Sequence, residues 1–145
     1  MKFNWIIAPL ILMIATTALA HEDVKNLTVK ERMVSMGSIV GNMKTLGGMA
    51  KGAVDFDLEQ AKAALAEIED IAKTVPILFK ENKMDPKSEA LPAIWTNFSD
   101  FTAKSKAMEG AAATALANFS DQSDLIPAMR ALGGTCKSCH SEYRK

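Results

Sequence analysis

Apolar residues in this chain return at intervals of three and four, and that rhythm restricts the fold more than anything else in it. Between Val24 and Lys51 one stripe carries Val29, Met33, Met36, Val40, Met43 and Ala50, with Lys30, Glu31, Lys44 and Lys51 mostly off it. A second helix is announced by Asp57 followed by Gln60, a capping-box pattern. It buries Ala61, Ala64, Leu65, Ile68, Ile71 and Val75, and Pro76 should end or kink it. A polar connection runs over 80–92. The third helix opens near Pro92 and turns Trp95, Phe98, Phe101, Met108, Ala112, Leu116 and Phe119 inward. The fourth starts at Ser123 and accommodates Pro127, because first-turn amides have no helical acceptor to lose. Its inner stripe is Leu125, Met129, Leu132, Cys136, then Cys139 or His140, and Tyr143. No stretch alternates with period two between hairpin turns, so no sheet is expected. Four helices with short connections predict an all-α antiparallel four-helix bundle.

The first twenty residues read differently. Lys2 precedes the apolar run Trp5 to Ile14, and Ala18-Leu19-Ala20 supplies small residues around a cleavage point. The uncharged run falls short of the ~20 apolar residues that span a bilayer. Residues 1–20 are therefore read as a cleaved signal peptide directing export to the periplasm, and residues 21–145 as one domain. Without Lys2 the chain holds 16 basic and 17 acidic residues, from 17 of each in the whole sequence. That balance, with no run of like charge, gives no sign of a nucleic-acid partner or of stable membrane association.

Both cysteines and one of the two histidines fall within five positions, in "GGTCKSCHSEYRK" at the end of the chain. On a helix, Cys136, Cys139 and His140 project from one face. C-x-x-C-H is the attachment signature of c-type haem: each thiol forms a thioether to a porphyrin vinyl group and the histidine binds iron. A thioredoxin-like pair would sit at a helix N-terminus, where the dipole favours a thiolate. Zinc needs four ligands, and only His21 and carboxylates are left to complete the set. A disulfide across two residues would strain the helix and leave His140 without a role. Covalent haem c is the expected cofactor, with Gly133 and Gly134 giving a flat ring clearance against bare backbone.

The opposite face of the iron is less determined by the residues alone. His21 would head the mature chain, where termini fray. Met33, Met36 and Met43 lie along the first helix, and a methionine stripe serves as adaptable core filling as readily as a ligand row.

Throughout its mature length the chain resembles the class II c-type cytochromes, the four-helix cytochrome c′ family. The likeness is carried by "VKERMVSM" and "MAKG" in the first helix, "VPILF" after the second, "PAIW" opening the third and the closing "GGTCKSCHSEYRK". The resemblance implies a distal residue four after Arg32 and sixteen before Gly52, which is Met36. It further implies the low-spin subgroup, in which that methionine binds iron opposite His140, and places Arg32 near a haem propionate and Arg144 near the proximal imidazole. Relatives often pair through the first two helices, so a homodimer is an expectation that the resemblance alone carries. The function implied is that of a periplasmic monohaem electron carrier meeting redox proteins transiently, and not an enzyme. The alternative is a gas-binding protein of the cytochrome c′ type, with Met36 off the iron or displaced by nitric oxide or carbon monoxide.

Overall fold

The computed structural model describes residues 24–145. Residues 1–20, expected to be a signal peptide, and His21 lie outside the described residues. Helix α1 spans Leu27–Ala50. Asn26 caps it, its side-chain oxygen accepting from the Val29 amide at 3.2 Å. At the other end Gly52 turns to φ 67°, and the Gly52 and Ala53 amides donate to Met49 and Gly48 carbonyls at 3.1 and 2.9 Å. This left-handed glycine closes the helix by satisfying carbonyls that the last turn leaves over.

Helix α2 spans Leu58–Leu78 and begins as expected, with the Asp57 carboxylate accepting from the Gln60 amide at 2.9 Å. It does not end at Pro76 but runs two residues beyond it. Proline at position 76 has no N–H for the carbonyl four residues back, at Ala72. The Ser105 hydroxyl of a neighbouring helix donates to that Ala72 oxygen at 2.8 Å. A tertiary hydrogen bond thus replaces the helical one.

The expected third helix is two. Helix α3 is the single turn Ala93–Thr96, and α4 spans Phe98–Asn118, with Asn97 at φ −131°, ψ 47° between them. The Trp95 indole N–H donates to the Phe79 carbonyl at 2.8 Å, which pins α3 to the end of α2. A 3-10 turn, Gln122–Asp124, then leads into α5, Leu125–Tyr143.

Each long helix packs on two others, in the cyclic order α1, α2, α4, α5, and the α1–α5 contact is the sparsest. Together they make an all-α antiparallel four-helix bundle. Leu46, Met49, Leu65, Ile68, Leu125 and Leu132 are fully buried in its body. Each such side chain contributes about 1.5–3 kcal/mol of hydrophobic stabilisation. A second cluster of Val75, Phe79, Ile94, Phe101 and Tyr143 closes one end.

The buried face of α1 is rotated from the expected stripe. Val29, Arg32, Ile39, Leu46, Gly47 and Met49 face the core, while Val40 is exposed. An arginine on the inner face displaces the periodicity, since counting apolar residues passes over it. Met36 and Met43 consequently border the core rather than fill its centre, and Met33 packs against neither cluster.

Candidate haem site

A cavity of about 1120 Å³ lies between α1 and α5, with residues of α2, α3 and α4 completing its walls. Met33, Met36 and Met43 of α1 line one side, and Cys136, Cys139 and His140 of α5 line the other. Met108 and Met129 add two more thioethers, and Ile39, Val75, Ile94 and Phe101 make much of the remainder apolar. Four residues that the sequence placed at the site, Met36, Cys136, Cys139 and His140, are thus brought to one cavity. Met36 is set apart from the other four methionines there: it alone packs against both the body core and the end cluster.

Cys136 and Cys139 are half-buried free thiols. Burial pushes both thiols up from their ordinary range; Lys104 opposes the shift at Cys139. Thiols held protonated this way are poor exchange nucleophiles, which argues against a redox pair. His140 is pulled down from the usual imidazole value, first by burial and then by the Arg144 charge, with Glu89 opposing. A neutral imidazole is the form that binds metal. Among the described residues no three His, Cys, Asp or Glu side chains converge on a point that could hold a metal ion by themselves. Cys136, Cys139 and His140 do fit a porphyrin, which brings its own equatorial nitrogens and asks of the chain only two thiols and axial ligands.

The chain end that carries His140 is tied down. The Leu91 amide donates to the Tyr143 carbonyl at 3.0 Å, and the Lys145 amide donates to the Glu89 carbonyl at 2.9 Å. Arg144 adds a 2.6 Å bond from Nε to Glu89 Oε2. Tyr143 is buried edge-on against Phe101, and its hydroxyl donates to Asp100 at 2.7 Å. Across the same seam Lys104 Nζ bonds Ser138 Oγ at 3.2 Å and pairs with Glu142 at 3.0 Å. These contacts fix the last turn of α5, the turn that carries His140. Arg144 lines the cavity as His140 does, with its guanidinium directed to Glu89.

Arg32 also lines the cavity, but most of its hydrogen bonding is taken up elsewhere. It is only 3 % exposed, and Nε, Nη1 and Nη2 donate to the carbonyls of Leu78, Lys83 and Glu81 at 2.8, 2.7 and 2.6 Å. Its guanidinium also lies over the Phe79 and Trp95 rings, at 4.6 and 5.5 Å. Arg32 binds the end of α2 and the turn beyond it to α1, one helical turn before Met36. Two of its five N–H groups are left for a propionate.

Gly133 and Gly134 are absent from the cavity lining, and a Cβ at either would meet nothing within 4 Å. Gly47 is the close-approach glycine instead: a Cβ there would come within 3.2 Å of the Met129 methyl. Lys104, Ser105 and Glu89 line the site without any sequence signal to mark them, whereas Met108 and Met129 stood on expected inner stripes.

A helical bundle that presents two thiols and an imidazole from its last helix to an apolar cavity defines the class of covalent c-type haem proteins. The family model described as Cytochrome C′ matches residues 28–144. The chain is 39% identical over 117 residues to Cytochrome c-556 of Agrobacterium fabrum, covering 80% of each. It is 37% identical over 143 residues to Cytochrome c-554 of Cereibacter sphaeroides, covering 92% of this chain and 91% of that one. The solved cytochrome c′ of Rhodopseudomonas palustris superposes with a TM-score of 0.77 at 28% identity, over 83% of this chain and 98% of the other. The protein belongs to the cytochrome c′ family, and its cofactor is haem c; the chain holds two cysteines, Cys136 and Cys139.

Proposed function

We propose that this protein is an exported, periplasmic electron carrier whose iron is six-coordinate and low-spin, held by His140 and Met36. The reading is supported chiefly by the place of Met36, which lines the same cavity as His140 and is wedged between both core clusters. A thioether so confined loses little further freedom on binding metal, unlike Met33, which belongs to neither cluster. Haem c supplies an iron that changes oxidation state by one electron. The chain's part is to hold the metal from two sides and to keep water off it with apolar walls. Thioether ligation and burial both favour the reduced state and raise the potential. With both axial positions taken there is no open position for substrate, which fits a carrier rather than an enzyme. Among the described residues no helix is long and apolar enough to cross a membrane.

Paired substitutions test the ligand. Met36→Ala opens the sixth position and confers carbon monoxide binding on the ferrous protein, while Met33→Ala leaves the spectrum as it was. Unchanged spectra in both variants would remove Met36 from the iron. Ready binding of carbon monoxide or nitric oxide by the unsubstituted protein would favour the gas-binding reading instead.

A further inference from the structure

The charge of the chain is balanced in sum but not in space. Described residues hold 16 basic side chains (the 17 of the sequence less Lys2) and 15 acidic ones (17 less Glu22 and Asp23). Six of those bases line the haem cavity: Arg32, Lys44, Lys51, Lys87, Lys104 and Arg144. Glu89 is the one acid among the lining residues. The cavity therefore carries a surplus of five positive charges, and the rest of the described chain, ten bases against fourteen acids, a deficit of four. Glu142, which pairs with Lys104 from just off the lining, and two haem propionates set against that surplus still leave it at two.

Lys44, Lys51, Lys87 and Arg144 are exposed, and the first two stand seven residues apart, Lys44 on α1 and Lys51 at its C-cap. Lys104 and Arg144 are each paired with an acid, so the field is shaped as well as positive. Of the seven strongly exposed large apolar residues among those described, six (Leu27, Val34, Val54, Ile77, Met84 and Ile126) lie off this lining; Val40 alone is on it, and one valine is a small wedge to accompany the charge into a bilayer. A cleft lined by one sign of charge draws oppositely charged molecules and raises their association rate by 10–10³ at low salt.

We propose that this basic rim is the docking surface for a redox protein whose own contact face is rich in carboxylates. The proposal rests on the electron-carrier reading above. One electron passes between the two metal centres, with no bond made and no proton moved.

Small reagents of known charge test it. Hexacyanoferrate(III), a trianion, takes one electron from the ferrous protein and becomes hexacyanoferrate(II). Its rate should fall by roughly tenfold between 0.01 and 0.1 M salt, as the screening length shrinks from about 30 to about 10 Å. The tricationic tris-phenanthroline cobalt(III), reduced to cobalt(II), should speed up over the same range. The double variant Lys44→Glu/Lys51→Glu should flatten the first dependence, while Lys106→Glu, an exposed site off the lining, should change it little. A readout without electron transfer accompanies these rates. The redox-inert paramagnetic trianion hexacyanochromate(III) should broaden the amide signals of Lys44, Lys51 and Lys87 before that of Lys106. A salt-independent rate with the trianion, or broadening spread evenly over the surface, overturns the proposal. So would co-sedimentation with phosphatidylglycerol vesicles that Lys44→Glu/Lys51→Glu abolishes, since the rim would then serve a membrane. A low-spin ferric spectrum recorded first keeps the ligand reading separate: with it in hand, flat kinetics sinks only the rim.

Discussion

Ser105→Ala removes a single oxygen, yet its cost should depend on a residue in another helix. The Ser105 hydroxyl is buried and donates to the Ala72 carbonyl at 2.8 Å, in place of the N–H that Pro76 lacks. Without it the carbonyl faces a packed α2–α4 contact with no donor, a loss of about 1–3 kcal/mol. Pro76→Ala returns an amide to position 76, which can reach Ala72 in the ordinary helical way. In that background Ser105→Ala should cost no more than about 0.5 kcal/mol, because the carbonyl is already satisfied. The double-mutant cycle therefore predicts a coupling of about 1.5 kcal/mol between residues in different helices. Urea unfolding of the haem-loaded protein, followed by far-ultraviolet circular dichroism, measures all four corners. Haem stays attached through its thioethers in both folded and unfolded states, so its loss does not confuse the transition. Additive effects, with a coupling below about 0.5 kcal/mol, would refute the assignment of Ser105 as the replacement donor. Because Ser105 also lines the cavity, the same cycle tests one wall of the haem site.

Other expectations follow from the same contacts. Arg32→Met leaves three carbonyls without their charged donor; Glu81 and Lys83 are exposed enough for water to serve theirs, so the net loss is about 3 kcal/mol, and one below about 1 kcal/mol would contradict the anchoring role. Arg32→Lys should recover less than half of it in the same urea titration, since one ammonium cannot reach three divergent oxygens. Tyr143 is the single tyrosine of the chain, so phenolate absorbance reports on it directly. Burial, and then its bond to Asp100, hold the hydroxyl up to about 12, against about 10 for an unfolded tyrosine. Its raised value contributes stability that is complete below about 10 and is lost as pH climbs toward about 12, and Tyr143→Phe should remove that dependence. Phenolate appearing near 10 in the folded protein would contradict the buried bond.

The haem site was legible to very different degrees. Cys136, Cys139 and His140 declare themselves because helical spacing alone puts them on one face, and the structure sets that face on the cavity. Met36 needed a family likeness, since nothing in the periodicity of α1 separates it from Met33 or Met43. What separates it is contact with two clusters at once, the second drawn wholly from outside α1, which no local pattern encodes. The α1 stripe was misplaced because Arg32 occupies the inner face, and a buried cation makes sense only once its three carbonyl partners, about fifty residues away, are known. Pro76 misled for a similar reason: the donor that lets the helix continue belongs to α4. The basic rim was invisible, as its members are scattered from Arg32 to Arg144 and form no run in the chain.

The account turns on the two axial ligands, and the ferric protein's absorption and electron paramagnetic resonance spectra test them most directly. Ligation by His140 and Met36 predicts a low-spin resonance together with the weak far-red band of a methionine–iron bond, both lost in Met36→Ala. A high-spin resonance in the unsubstituted protein, with that band missing, would contradict the claim.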